Sequence, residues 1–289
     1  TPVVPFPPDD GDRRRAHALL TALRTRHEVR VLSFVRDRGE RRRVEALRAT
    51  GVAAEGVPLP RSRLMLNLAA GWLAPAPLNV SAFRSGRMRR AVARRLQTGD
   101  FDAVHAYRLR MAPYALAAPG VIRILDYTDA LTRFAAAQAE RSPSRLGRFL
   151  AAREARALAV YEAAQAGRFD AAFISSPRDR DYLRARGASE TLQVVSNGVD
   201  SEAFRPTGEL TARARVLFVG NLAYPPNAEG LAAFCRNVWP RIAAEAPGAT
   251  LLAAGGLPGG GLAAARQRFP GAEILGRVPD PAALMRTCR

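Results

Sequence analysis

Lysine is absent from all 289 residues, so each of the 44 basic side chains is arginine. That excludes a nucleotide-binding loop ending in a phosphate-gripping lysine. Cys235 and Cys288 are the only cysteines and stand without metal-ligand spacing, which excludes a disulfide scaffold and reads as a reduced, cytoplasmic chain. Histidines number three, and neither a Ser-His-Asp order nor a paired set of metal ligands can be assembled from His17, His27 and His105. Long apolar runs are also missing. Residues 64–80 (LMLNLAAGWLAPAPLNV) come nearest, but the stretch is short and Pro75 and Pro77 break it. It reads as a helix and loop over a cleft, or as a shallow interfacial contact with Trp72 at head-group depth.

The remaining composition is that of a folded protein, with 48% hydrophobic and 24% charged residues, and the length suits about two domains. The formal net charge is +18, mostly in the first two thirds of the chain. GC-rich codon usage gives such an arginine excess whatever the function; alternatively, a cationic surface meets phosphates, anionic lipid or nucleic acid. Residues 87–95 (RMRRAVARR) are the best feature for nucleic acid, yet no recognition motif accompanies them and aromatics are only 7%. The chain opens at Thr1 on TPVVPF and stops at Arg289 within a helical pattern, so it reads as a fragment.

Short apolar runs at 29–34, 101–106, 121–125, 169–175 and 192–196 are strand candidates, with amphipathic helical patterns at 12–26 and 145–166 among those between them. That rhythm predicts a parallel sheet with helices on both faces. A boundary is expected at 197–213, marked by Asn197-Gly198, Pro206 and Gly208, with domains over 1–204 and 205–289. The second reads strand 216–220, helix 227–246, strand 250–254, helix 261–268, strand 273–275 and a helix from Asp280, about half of a doubly wound domain.

Two motifs stand at predicted strand ends. In PPDDGDRRR, Gly11 lets backbone N–H groups approach a phosphate at a helix N-terminus, with Asp12 expected as the N-cap; a plain capped turn is the alternative. In LDYTD, Asp126 and Asp129 are expected to point into a crevice and accept hydrogen bonds from sugar hydroxyls or orient an attacking alcohol, unless Asp129 caps the next helix. His105 in FDAVHAY is a candidate for the same place.

These motifs combine with VVSNGVD at 194–200, FRP at 204–206 and VLFVG at 216–220 into an ordered set that resembles the family 4 glycosyltransferases of GT-B architecture. More narrowly, PPDDGDRRRAHALLTAL, REARALAVYEAAQAGRFDAAF and GNLAYPPNAEGLAAF followed by VWPRI resemble sugar transferases of exopolysaccharide and exosortase loci. The resemblance implies two Rossmann-like doubly wound domains, the second incomplete, and transfer of a sugar from a nucleoside diphosphate donor, with retention, to a glycan or lipid-linked acceptor. It implies no cofactor or metal, since the nucleotide sugar is substrate. On the acceptor side it carries roles onto Gly11 with its neighbours Asp12 and Arg13 and onto Asp126 as the catalytic carboxylate, beside Asp129 and His105, which join them as substrate-binding candidates from their places in the strands. On the donor side it carries them onto Gly220, Asn221, Tyr224, Asn227, Arg277 and Val278.

Asn221 stands where many relatives have arginine, and Tyr224-Pro225-Pro226-Asn227 where they have lysine, so the leaving-group clamp is expected from Arg13, Arg14, Arg277 and the helix N-terminus near Asn227. The family's glutamate pair would fall beyond Arg289. The arginines are then expected to dock partly on the inner face of an anionic membrane, with no nucleic acid bound. The rival readings are a non-catalytic GT-B-like binding protein and an arginine-rich nucleic-acid-binding protein.

Overall fold

Parallel strands covered by helices on both faces are built from apolar runs, as the buried segment 251–254 shows. The computed structural model describes residues 1–205, 214–257, 259 and 261–288; Pro206 and Gly208, expected to mark the boundary, lie outside the described residues. The chain divides into two units, Thr1–Asn197 and Gly198–Arg289.

The first unit runs α1 (Gly11–Arg24), β1 (Arg30–Val35), α2 (Arg38–Ala49), β2 (Ala53–Pro58), α3 (Arg61–Gly71), α4 (Leu78–Ser81), α5 (Gly86–Thr98), β3 (Ala103–Tyr107), a 3-10 turn at Leu109–Met111, α6 (Ala112–Ala115), β4 (Ile122–Thr128), α7 (Leu131–Arg141), α8 (Arg145–Ala166), β5 (Ala171–Ile174), α9 (Pro177–Arg184) and β6 (Leu192–Val194). β1 pairs with β2, and β3-β4-β5-β6 form a parallel sheet in chain order. Phe34, Met88, Leu125, Tyr127, Leu158 and Ile174 lie in its main core, while Val31, Val44 and Leu47 join α2 to β1 in a smaller one. Most buried helical residues are apolar; the buried charged ones have partners, as Arg15 of α1, Glu40 of α2 and Glu162 of α8 do.

The second unit runs β7 (Arg215–Val219), α10 (Pro225–Asn237), α11 (Trp239–Glu245), β8 (Thr250–Ala254), α12 (Gly261–Arg268), β9 (Ala272–Gly276) and α13 (Pro281–Arg286), with sheet order β7-β8-β9, all parallel. Leu231, Trp239, Leu251, Phe269 and Ile274 fill its core.

Two elements differ from expectation. β2 (AAEGVP) carries no β-branched alternation, because Gly56 is there for fit: a Cβ on it would meet the Val35 side chain at 2.9 Å. The helix expected over 227–246 is two helices, since Pro240 in the first turn of α11 has no N–H to continue the ladder. The 64–80 stretch forms α3, a loop and α4, and no helix among the described residues is long and apolar enough to cross a membrane. RMRRAVARR lies within α5, where Met88 and Ala91 face inward and Arg94 and Arg95 meet Glu55 of β2 at 2.7 and 2.5 Å.

Candidate functional site

In a parallel sheet all strands end on one edge, so β3, β4, β5 and β6 deliver Arg108, Asp126 to Asp129, Ser175 and Val195 to Asn197 to a common border. α1 docks onto that border by its first two turns. Arg15 donates to Asp126 Oδ2 through Nη2 at 3.0 Å and Nε at 3.3 Å, to the Val195 carbonyl at 3.0 Å and to Asn197 Oδ1 at 2.8 Å. The other Asp126 oxygen accepts from the Thr128 N–H at 2.8 Å, and the residue is 1% exposed. The expectation that Asp126 points into a crevice to meet acceptor hydroxyls is therefore corrected: its carboxylate is buried and, as a buried charge needs a partner, is paired with Arg15.

Asp12 makes the second tie. Tyr107 Oη donates at 2.9 Å toward the Asp12 carbonyl and carboxylate, and Arg108 Nε reaches the same carboxylate at 2.9 Å. The helix N-cap is Asp10, which accepts from the Arg13 N–H at 2.9 Å, so the assignment of the cap to Asp12 is corrected; of the two, only Asp10 has the extended backbone a cap requires. Arg13 pairs with Asp10 and Asp9 rather than standing open for a ligand. Gly11 begins the helix exposed, and a Cβ there would meet nothing within 4 Å.

Arg108 and Thr128 both hold positive φ, 74° and 67°, the only such non-glycine residues among those described. Strain of this kind collects at working surfaces. Arg108 Nη1 also lies 3.5 Å from Asp129, whose side chain is 55% exposed. Partial burial raises the Asp129 carboxyl above its usual range although Arg108 pulls the other way. Asp129 does not cap α7; Glu162 of α8 does, accepting from the Leu131 and Thr132 N–H groups at 2.7 and 2.9 Å. His105 sits inside β3 opposite Ile124 with its Nε2 buried and unpartnered, and burial pushes its pKa down despite nearby Asp126. It is enclosed, not presented at the border.

The second unit has its own strand-end border, and glycine makes it. Gly255, at φ 149°, lies so close to Gly220 that a Cβ would fall 1.7 Å from the Gly220 carbonyl oxygen. Gly220 N–H donates to the Ala254 carbonyl, Gly255 to Gly276 and Leu222 to Gly256, tying the three strand ends together. Among the described residues neither Asn221 nor Gly256 donates its backbone N–H. Asn221 Oδ1 accepts from Ala223 N–H at 3.1 Å, and Asn227 Nδ2 donates to the Asn221 carbonyl at 3.2 Å. Arg277 is exposed at the end of β9, with half-buried Val278 after it, and Tyr224 is 47% exposed. The expectation of an anion site at the N-terminus near Asn227 is corrected: Pro225 and Pro226 lack N–H groups, and Asn227 and Ala228 donate theirs to the Tyr224 carbonyl.

Sequence reasoning missed Arg15, Arg108, Glu162 and the Gly255-Gly256 pair. The glycine pair at a strand end was a readable signal; the arginines were indistinguishable among 44.

No curated protein matches the sequence. Among solved structures, HepE from Anabaena in complex with UDP and glucose is similar with a TM-score of 0.59 at 15% identity, covering 94% of this chain and 68% of that one. An α,α-trehalose-phosphate synthase from Burkholderia xenovorans in complex with glucose-6-phosphate is similar with a TM-score of 0.50 at 13% identity, covering 93% of this chain and 72% of that one. These likenesses show the fold, which is GT-B with Rossmann-like units. The model of Glycosyltransferase Family 4 matches residues 10–203, from the cap of α1 through the docked border and past the NGVD segment, and the chain belongs to that family.

Proposed function

We propose that this glycosyltransferase moves a hexose, with retention at the anomeric carbon, from a nucleoside diphosphate to a glycan or lipid-linked precursor of an exopolysaccharide. The observation that carries the donor part is the strand-end border of the second unit. The undonated N–H groups of Asn221 and Gly256 lie where glycines admit a ligand to the backbone, and Arg277 adds a charge beside them. Backbone N–H groups and a guanidinium are the donors that stabilise the negative charge growing on a diphosphate leaving group. Asn221, Tyr224, Asn227 and Val278 would then shape the space around base and sugar.

In the first unit Gly11, Asp12, Asp129 and strained Arg108 form the acceptor border, with Asp129 the open carboxylate able to orient a hydroxyl. Asp126 positions this border through Arg15. The reading places the protein on the anionic inner face of a membrane, without a resident metal or cofactor. Leu73 is 95% exposed, Met65 and Leu66 project from α3 nearby, and Arg153 of α8 lies over the Trp72 ring at 4.7 Å, a mixture of apolar and cationic groups suited to such a surface.

Incubation with UDP-, GDP- and ADP-hexoses and the cell's own lipid-linked glycans, followed by NMR of the new linkage, tests this. An axial donor should yield an axial product; an inverted linkage rules out retention, and no transfer or donor hydrolysis with any nucleotide favours the non-catalytic binding protein.

A further inference from the structure

A cavity of about 310 Å³ opens where β1 and β2 end, lined by Arg36, Arg38, Arg41 and Arg87 with Asp37 as its only acid. Its neighbouring carboxylates are engaged. Asp37 caps α2 by accepting from the Glu40 N–H at 3.0 Å and lies 3.7 Å from Arg61, while Glu40 holds Arg36 by its N–H at 2.7 Å and its Nε at 3.0 Å. Arg38, Arg41 and Arg87 make no ion pair among the described residues.

Next to this group, the turn after β3 places Arg110. Its guanidinium lies over the Phe83 ring at 4.5 Å, its Nε is buried without a hydrogen-bond partner, and no carboxylate among the described residues pairs with it. Burial, reinforced by the charges of Arg108 and Arg36, pushes its pKa down to about 10 although Asp12 opposes them. Arg36 belongs to both groups, since it lines the cavity and its charge is felt at Arg110. An enclosed guanidinium without a counter-ion is unfavourable until an anion arrives, and planar guanidinium forks match phosphate oxygens in pairs.

We propose that Arg110 and the Arg36, Arg38, Arg41 and Arg87 cavity bind the phosphate or diphosphate of a phosphorylated acceptor. The proposal rests on the glycosyltransferase reading and deepens it, because the donor diphosphate is assigned to the second unit and this arginine group needs a different anion. A diphosphate carried on an alkyl chain fits the group better than a neutral glycan does, since three unpaired guanidiniums would otherwise face sugar hydroxyls.

Calorimetry on the whole chain decides it, with inorganic pyrophosphate, an alkyl diphosphate and UDP as probes. The expected result is that pyrophosphate and the alkyl diphosphate bind whether or not UDP is present. Arg110→Gln and the doubly exposed Arg41→Ala/Arg87→Ala variant should each weaken both by about tenfold or more while UDP affinity stays within about twofold. If Arg110→Gln does not fold, the surface double variant carries the test alone. Displacement of pyrophosphate by UDP would assign the site to the donor and overturn the proposal. So would unchanged affinity in the double variant, or binding of inorganic pyrophosphate but not the alkyl ester. Failure of UDP to bind, with the diphosphate results intact, would count against the donor reading and leave the arginine site standing.

Discussion

Asp126 and Arg15 are separated by 111 residues in the chain and join in one buried ion pair, with side chains 2% and 6% exposed. Removing the charge from one partner strands the other in a low-dielectric interior, which costs more than the pair itself contributes. Asp126→Asn is therefore expected to lower stability by about 3 kcal/mol in urea denaturation. The rate per folded molecule should change far less than stability does. A variant of normal stability with turnover reduced by about a hundredfold would instead make Asp126 act directly on the acceptor. The sequence pointed at Asp126 because polar residues at parallel strand ends gather at one border, but its partner could not be found that way. Arg15 is one of three consecutive arginines, and only the docking of α1 decides which of them turns inward. The cap was misplaced for a similar reason: DDGD offers three carboxylates within four residues, and backbone geometry selects Asp10.

Helix α8 shows how some elements here are held by a neighbour rather than by their own ends. α4 and α7 have no side-chain cap of their own, and α8 supplies both: Glu154 accepts from the Leu78 and Asn79 N–H groups at 2.7 and 2.8 Å, and Glu162 from those of Leu131 and Thr132. A carboxylate at a helix N-terminus is favourable, yet burial outweighs its hydrogen bonds to Thr132 and Leu131 and raises the Glu162 carboxyl to about 7. The folded state then holds a proton more tightly than the unfolded chain between the ordinary glutamate value of 4.5 and about 7, so this group's contribution to stability falls as pH rises through that window. Thermal melts from pH 5 to pH 8 should show the advantage of the wild type over Glu162→Gln shrinking with pH; an advantage that grows would mean the carboxylate is stabilised as the anion. The pattern 145–166 announced α8 in full, because its apolar spacing is local. What its glutamates cap was not legible, and neither was β2, whose Gly56 and Pro58 speak against a strand until β1 lies beside them.

For the molecule as a whole, the +18 charge is accompanied by exposed apolar groups on the first unit: Leu73, Met65 and Leu66 around α3, and Leu146 and Phe149 at the start of α8. Arginines alone could come from codon usage, but large apolar side chains left in water suit a surface that will leave it. The full chain should sediment with vesicles containing anionic lipid at low salt and be released as salt rises; Leu73→Glu with Leu66→Glu should abolish sedimentation and leave the melting temperature unchanged. Equal sedimentation with neutral vesicles, or tighter binding to duplex DNA with a steep salt slope, would contradict membrane docking.

The sheet architecture and the alternation of units were legible because strand and helix periods are local properties of the chain. The proposed donor border was half legible: Gly220 and Arg277 could be placed at strand ends, while the undonated N–H groups of Asn221 and Gly256 exist only once Gly220 and Gly255 meet. That border makes the central claim, and calorimetric titration of the protein with UDP, GDP and ADP tests it most directly. One of the three should bind, and Gly256→Val, whose side chain would crowd Asn221 Oδ1 only 2.7 Å from its Cβ, should weaken it by about tenfold or more. Silence with all three nucleotides, or equal affinity in the valine variant, would contradict a diphosphate site at the ends of β7, β8 and β9.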